Sequence, residues 1–400
     1  MSDTPSIVES TSRFALDLYH ALGSSDGNLF FSPASIAVAL TMAHAGAKGG
    51  TAQQMAEVLH LPDLQPARLH AAFGFLISDL MFEYAQPYSG FSRLDSDDTG
   101  AVDPTACQVR MANALWGQVG LGYLEVYKHA LKSFYESDLH EVDFAADPEH
   151  AREIINRWVA ERTREKIPQL LPSGALDEIT LLVITNAVYF KAQWDEPFEE
   201  SLTEPQPFLL ESGAALTTDM MCHTTTFRYT QDDLVRVLEL PYMGNRFSML
   251  IILPREKNGL AAVEPQLSYE RLREWQATLA PAMVNVRLPR FEFRQPLMLA
   301  DVLQEMGMRL AFSDAADFSG ITNKAPLMIG QVLHEAFINL DEKGTEAAAA
   351  TALAMVLGEA EPEELPPVIE FHADHPFLFA IAEQANGALL FLGRVKNPQP

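Results

Sequence analysis

Cysteine is nearly absent: Cys107 and Cys222 are the only two in 400 residues, and they lie far apart. No disulfide framework follows from such a pair, and buried free thiols are the default reading. Basic residues are scarce as well, 28 against 54 acidic ones, for a formal net charge of −26. A surface of that sign repels nucleic acid and anionic membranes, so neither is expected as a partner. No run of eighteen or more apolar residues occurs, which removes the membrane-spanning helix. The amino terminus, MSDTPSIVESTSRFALDLYHAL, lacks a basic start followed by an apolar core, and no N-x-S/T sequon appears anywhere. The expectation is a cytoplasmic protein without a signal peptide, with an extracellular location left open.

Catalytic and metal signatures are missing too. GSSDG (23–27) matches the spacing G-x-S-x-G, but that nucleophile turn needs a strand before it and a helix after it, and the local pattern is the reverse. His334-Glu335 has no second histidine for a zinc site. Neither an enzyme nor a metal or other cofactor is expected. Length alone would suggest two or three domains, but 48% hydrophobic residues indicate a well-filled core, and no Gly/Ser- or Pro-rich linker and no repeat divides the chain.

Apolar spacing predicts helices near 6–22, 33–46, 51–60, 66–84 and 147–167. Ser32 and Asp147 stand as caps before Pro33 and Pro148. Strands are expected at 107–118, 179–193, 216–229, 234–241, 246–253, 283–294, 327–340, 367–371, 376–383 and 388–395. A further helix is expected at 296–307, and a polar, glycine-rich loop at 86–105. Helices and strands cluster in blocks rather than alternating, which argues for an α+β fold with mixed sheets.

The segment 340–357, LDEKGTEAAAATALAMVL, is too bland for a catalytic site and lacks a helical face. Read with period two, Thr345, Ala347, Ala349, Thr351, Leu353 and Met355 share one uncharged face, suited to burial in a sheet. The other face carries Glu346, Ala348, Ala350, Ala352, Ala354 and Val356.

This stretch resembles the reactive-loop hinge of the serpins, the serine protease inhibitor superfamily. Four blocks carry the resemblance in order: NLFFSPASIAVALTMAHAGAKGGTAQQMAEVLHL (28–61), ITLLVITNAVYFKAQWDEPF (179–198), VLHEAFINLDEKGTEAAAA (332–350) and HPFLFAIAEQANGALLFLGRVKNP (375–398). It implies a single domain over 1–400 with three β-sheets, eight or nine helices and an exposed reactive-centre loop, 342–366. It places Ser32, Ser35, Asn186 and His334 in a shutter beneath the middle of the main sheet. Trp194, Arg290 and Glu342 fall in a breach at its top, where a surface ion pair would be worth roughly 0–1 kcal/mol. The implied hinge is Glu342, Gly344, Thr345, Glu346, Ala347, Ala348, Ala349 and Ala350.

The implied activity is suicide inhibition. A serine (or cysteine) protease attacks the loop, and the cut hinge enters the main sheet with the covalently bound protease attached. About 14 residues at ~3.3 Å each would carry it roughly 45 Å. The reactive bond stays open among Leu357–Gly358, Gly358–Glu359 and the bond after Glu359. No lysine or arginine occurs from 344 to 371, which disfavours trypsin-like targets and leaves chymotrypsin-, subtilisin- or elastase-like ones. The region matching the family's polyanion-binding helix, 66–85, holds one arginine and no lysine, so no such activator is expected. A monomer is expected, prone to loop-sheet polymers. The alternative is a non-inhibitory relative acting as a chaperone or small-molecule carrier. No charge occurs from Ala347 through Gly358, which favours inhibition.

Overall fold

The computed structural model describes residues 3–23, 26–81, 107–345 and 367–399. In chain order it begins with helix α1 (Thr4–Leu22), strand β1 (Leu29–Phe31), helices α2 (Pro33–His44), α3 (Gly49–Val58) and α4 (Pro66–Leu80), and strand β2 (Cys107–Gln118). Helix α5 (Glu125–Tyr135), strand β3 (Leu139–Val142), helix α6 (Pro148–Arg162) and strand β4 (Leu182–Gln193) follow. Next come β5 (Glu204–Leu209), β6 (Ala215–Gln231), β7 (Val235–Pro241) and β8 (Phe247–Pro254), then helices α7 (Leu260–Val263) and α8 (Tyr269–Thr278). Strands β9 (Ala280–Pro289) and β10 (Phe291–Met298), helix α9 (Ala300–Glu305) and strand β11 (Gln331–Asp341) lead to the two-residue strand β12 (Gly344–Thr345). Strands β13 (Ile369–His372), β14 (Phe377–Glu383) and β15 (Leu389–Val395) close the chain. The loop expected at 86–105 falls outside the described residues.

The α+β class holds, with nine α-helices among the described residues. Hydrogen bonds join the described strands into two sheets where three were expected. The reason is β6: its 17 residues pair with β9 from Met220 and with β7 up to Gln231, fusing two halves into one nine-stranded sheet. The other sheet has six strands in the order β10-β11-β12-β4-β2-β3.

Helix α2 is buried along nearly its whole length, apolar on every side, and lies between the two sheets. The inner face of the six-stranded sheet packs on it through residues such as Ile184, Val188 and Val332. The outer face is covered by α6, where Ile155 and Val159 meet Trp116, Val183, Ala187 and Leu333. Strand β4 is therefore buried on both faces, as its lack of charge predicts.

Two local expectations need correction. Residues 296–298 continue strand β10, and only Ala300–Glu305 is helical. Proline is tolerated at 296 because β10 is an edge strand, so its missing N–H breaks no sheet ladder on the open side. Cys107 and Cys222 are free but half-buried rather than fully enclosed. Burial still pushes the Cys107 thiol up to about 12.

Candidate functional site

The six-stranded sheet contains a seam. Along its lower part β11 and β4 pair directly and in parallel, from Gln331 opposite Val183 to Phe337 opposite Tyr189. Higher up they part, and β12 fills the gap, antiparallel to both: Thr345 lies opposite Leu340 and Ala192, Gly344 opposite Asp341 and Gln193.

Midway down the closed part, His334 of β11 is the register partner of Asn186 of β4. The four residues assigned to the shutter meet here, in a buried hydrogen-bond set. The His334 ring bonds the Asn186 side-chain oxygen through Nδ1, and its Nε2 accepts the backbone N–H of Ser32 at 3.1 Å. Asn186 donates through Nδ2 to Ser35 Oγ and to Asn113 Oδ1, and Ser35 Oγ donates to Asn113 Oδ1 at 3.0 Å. These partners require one protonated and one bare ring nitrogen, so His334 is neutral. Burial enforces this by pushing its pKa down to about 3. Ser32 ends the residue run before α2 but does not cap it through its side chain. Its hydroxyl donates instead to Leu390 O at 2.7 Å, spent on β15. Asp147 does cap α6, accepting the His150 N–H at 2.9 Å. Asn113 completes the set and was not anticipated. Antiparallel pairing of β2 with β4 sets it opposite Asn186.

At the top of the seam Glu342, Arg290 and Trp194 also come together. Arg290 donates to Glu342 Oε1 through Nη2 and, at 2.7 Å, through Nε, and Thr203 Oγ1 donates to the same oxygen. The Glu342 side chain is only 4% exposed against 40% for Arg290, so this is not the surface pair expected from sequence. Burial pushes the Glu342 carboxyl up, but the bonds from Arg290 and Thr203 outweigh it and leave the group below its ordinary range. Trp194 donates its backbone N–H to Lys343 O at 2.9 Å and its indole N–H to Asp341 O at 3.0 Å. Phe198 N–H bonds Glu342 O at 2.8 Å.

The turn into β12 is made by Asp341, whose Oδ1 accepts the N–H groups of Lys343 and Gly344 at 2.9 and 3.2 Å. Gly344 has φ +146°, and a Cβ there would fall 2.1 Å from Ala192 O. Only glycine fits. Thr345 is fully buried, and its hydroxyl shares a 2.8 Å hydrogen bond with Tyr242 Oη. The remaining hinge positions, Glu346 to Ala350, and the candidate reactive-bond residues Leu357, Gly358 and Glu359 lie outside the described residues.

Neither a nucleophile turn nor a metal cluster is assembled among the described residues. Helix α1 precedes the 23–27 segment and strand β1 follows it, and no group of three or more potential metal ligands occurs. No helix among them is long and apolar enough to cross a membrane. What this arrangement offers is a seam closed by direct β11–β4 pairing around a polar midpoint, and held apart at its top by the two residues of β12.

Comparison with known proteins agrees with that architecture. The family model "Serpin (serine protease inhibitor)" matches residues 9–398. The chain belongs to the serpin family, whose members are not enzymes. It is 40% identical over 98% of its length to an uncharacterized serpin-like protein of Thermococcus kodakarensis, covering 86% of that protein. It is 39% identical to the leukocyte elastase inhibitor of Bos taurus, covering 96% of this chain and 98% of that one. Among solved structures, human thyroxine-binding globulin with its bound hormone superposes with a TM-score of 0.84 at 29% identity, over 99% of this chain and all of that one.

Proposed function

We propose that this chain is an irreversible inhibitor of serine proteases, trapping the acyl-enzyme by inserting its cut loop between β11 and β4. The observation that carries the reading is β12: Gly344 and Thr345 already pair with both β11 and β4 at the top of the seam. Continued in that register, an inserted strand would set position 351 level with His334 and Asn186, the pair that insertion would part, and position 353 level with Val332 and Ile184. The sequence has threonine at 351, whose hydroxyl could meet the polar groups so released, and leucine at 353.

A dozen new ladder bonds at ~1 kcal/mol net each give about ten kcal/mol or more of driving force. That rivals the whole stability of an ordinary domain, about 5–15 kcal/mol. The uncut form is then held by a kinetic barrier. Leu357 suits a chymotrypsin- or subtilisin-type pocket, and the similarity to an elastase inhibitor fits small-residue or apolar targets.

The solved structures favour a second reading, a non-inhibitory carrier or chaperone, since thyroxine-binding globulin is a close structural match. A carrier needs a largely apolar enclosure of about 300 Å³ or more. The 650 Å³ hollow beside Arg290 is open and lined with Asp219, Glu292 and Asp341, the 300 Å³ hollow at Ile179, Met298 and Phe312 also carries Asp177 and Asp301, and the smaller one at Leu181, Leu327 and Met328 holds 210 Å³ beside Asp314. Incubation with subtilisin, chymotrypsin and elastase separates the two. An SDS-stable complex, a cut near 357–359 and a raised melting temperature after cutting support inhibition. Clean cutting with no complex and no added stability supports the carrier.

A further inference from the structure

At the end of the six-stranded sheet farthest from β12, two large apolar side chains stand in the open. Ile179, just ahead of β4, is 73% exposed, and Met298, the last residue of β10, is 54% exposed. One exposed apolar residue is ordinary, but these two line the same hollow. It holds 300 Å³ and is lined as well by half-buried Phe312 and Met328. Met328 also lines the 210 Å³ hollow at Leu181 and Leu327, so the two adjoin as one ledge.

Both side chains are presented from fixed backbone. Thr180 Oγ1 donates to Asp177 Oδ1 at 2.6 Å and Thr180 N–H to Asp177 O at 3.2 Å, a turn that carries Ile179 at its outside. Met298 sits on the last rung of the β10–β11 ladder, opposite Leu333. A site already ordered loses little entropy on binding. The charge on the ledge has one sign. Asp177, Asp301 and Asp314 line it, no lysine or arginine does, and none of the three makes an ion pair among the described residues. A two-fold contact between copies would set these carboxylates against one another, which disfavours a second copy as the occupant. The same sign repels an anionic lipid surface.

We infer that this ledge docks a basic segment of a partner protein with an apolar residue at its centre. A leucine- or phenylalanine-like side chain enters between Ile179 and Met298, and flanking lysine or arginine residues meet Asp177, Asp301 and Asp314. An apolar anchor inside a charged rim is the usual division of labour at a protein interface. The inference goes beyond protease inhibition and does not depend on it, since every residue of the ledge lies away from β12 and the top of the seam.

The test titrates the intact, uncut chain into fluorescein-labelled peptides of about ten residues and reads fluorescence anisotropy. One peptide sets leucine and phenylalanine between lysines and arginines. A second has serine for the apolar residues, and a third has glutamate for the cations. The first is expected to bind about tenfold or more tightly than either control. Ile179→Ser and Met298→Ser are each expected to weaken it about five- to thirtyfold, and Asp301→Lys about fivefold or more. Val126→Ser on α5, where the valine is also 73% exposed, leaves the affinity unchanged. Equal binding of the serine peptide, or wild-type affinity in Ile179→Ser and Met298→Ser, overturns the inference, because charge alone then accounts for the binding. Absence of binding by all three peptides overturns it too. Flotation with phosphatidylcholine vesicles that Ile179→Ser abolishes, with no peptide bound, overturns it in favour of a lipid surface.

Discussion

The indole of Trp194 lies flat on the phenol ring of Tyr242, with centroids 4.5 Å apart and planes 7° from parallel. The same phenol holds the Thr345 hydroxyl at 2.8 Å. One stacked pair thus ties the end of β4 to the first seated residue of the hinge. Tyr242→Phe keeps the stack and strands a buried hydroxyl, so it is expected to cost about 1–3 kcal/mol in denaturant unfolding. Tyr242→Ala also empties the stack and is expected to cost about 3–5 kcal/mol. Equal losses for the two variants would show that the hydrogen bond, not the ring, holds the hinge.

Gly344→Ala has no room in the seated turn, given 2.1 Å to Ala192 O and a φ of +146°. The expected outcome is loss of β12 pairing, read as a change in Trp194 emission, together with a lower yield of SDS-stable protease complex. An alanine variant that forms the complex with wild-type yield would mean that seating of Gly344 plays no part in insertion.

Glu342→Lys replaces a nearly buried carboxylate that accepts three hydrogen bonds with a cation facing Arg290. Breaking such a pair inside a protein costs about 3–5 kcal/mol, and the partial exposure of Arg290 lowers that toward about 1–3 kcal/mol. The seam then opens more readily, and size-exclusion chromatography on warming is expected to show faster loss of monomer to loop-sheet polymers. An unchanged monomer lifetime would count against the role given to this pair.

The seam was legible through the family resemblance rather than through local rules: read singly, Ser32, Ser35, Asn186 and His334 are ordinary residues, and only the order of the matching blocks brings them together. Asn113 has no counterpart in those blocks, and nothing in one sequence tells that β2 lies beside β4. Tyr242 and Thr203 were out of reach for a different reason. Their roles arise from turns that converge on Trp194 and Glu342 across 48 and 139 positions of sequence. The misread helix at 296–307 shows the limit of periodicity, since Pro296 reads as a helix start until β10 is known to be an edge strand. Helices α5 and α8 escaped because only Tyr127, Leu131 and Tyr135 in one, and Leu272 and Trp275 in the other, are buried.

Two neighbours on β11 give the seam opposite responses to pH. His334 is pushed down to about 3 by burial, from an ordinary 6.5. The unfolded chain therefore binds more protons between those values, and the stability His334 contributes is lost as pH falls from 6.5 toward 3. Glu335 is pushed up to about 7 by burial, offset in part by Arg294 at 3.7 Å, from an ordinary 4.5. Its contribution is complete below 4.5 and is lost as pH rises toward 7. Each slope is about 1.4 kcal/mol per pH unit at its steepest. Where the two windows overlap they cancel, so the joint contribution of this pair to unfolding free energy is expected to rise with pH up to about 4.5, stay level to about 6.5, then fall slightly. Glu335→Gln removes the descending contribution, so the stability difference between variant and wild type is expected to grow from pH ~4.5 upward, to about 1–3 kcal/mol in the variant's favour above pH ~7. Denaturant melts of both proteins across this range decide it: parallel curves would show that Glu335 is ionised throughout, held so by Arg294 against the cost of burial.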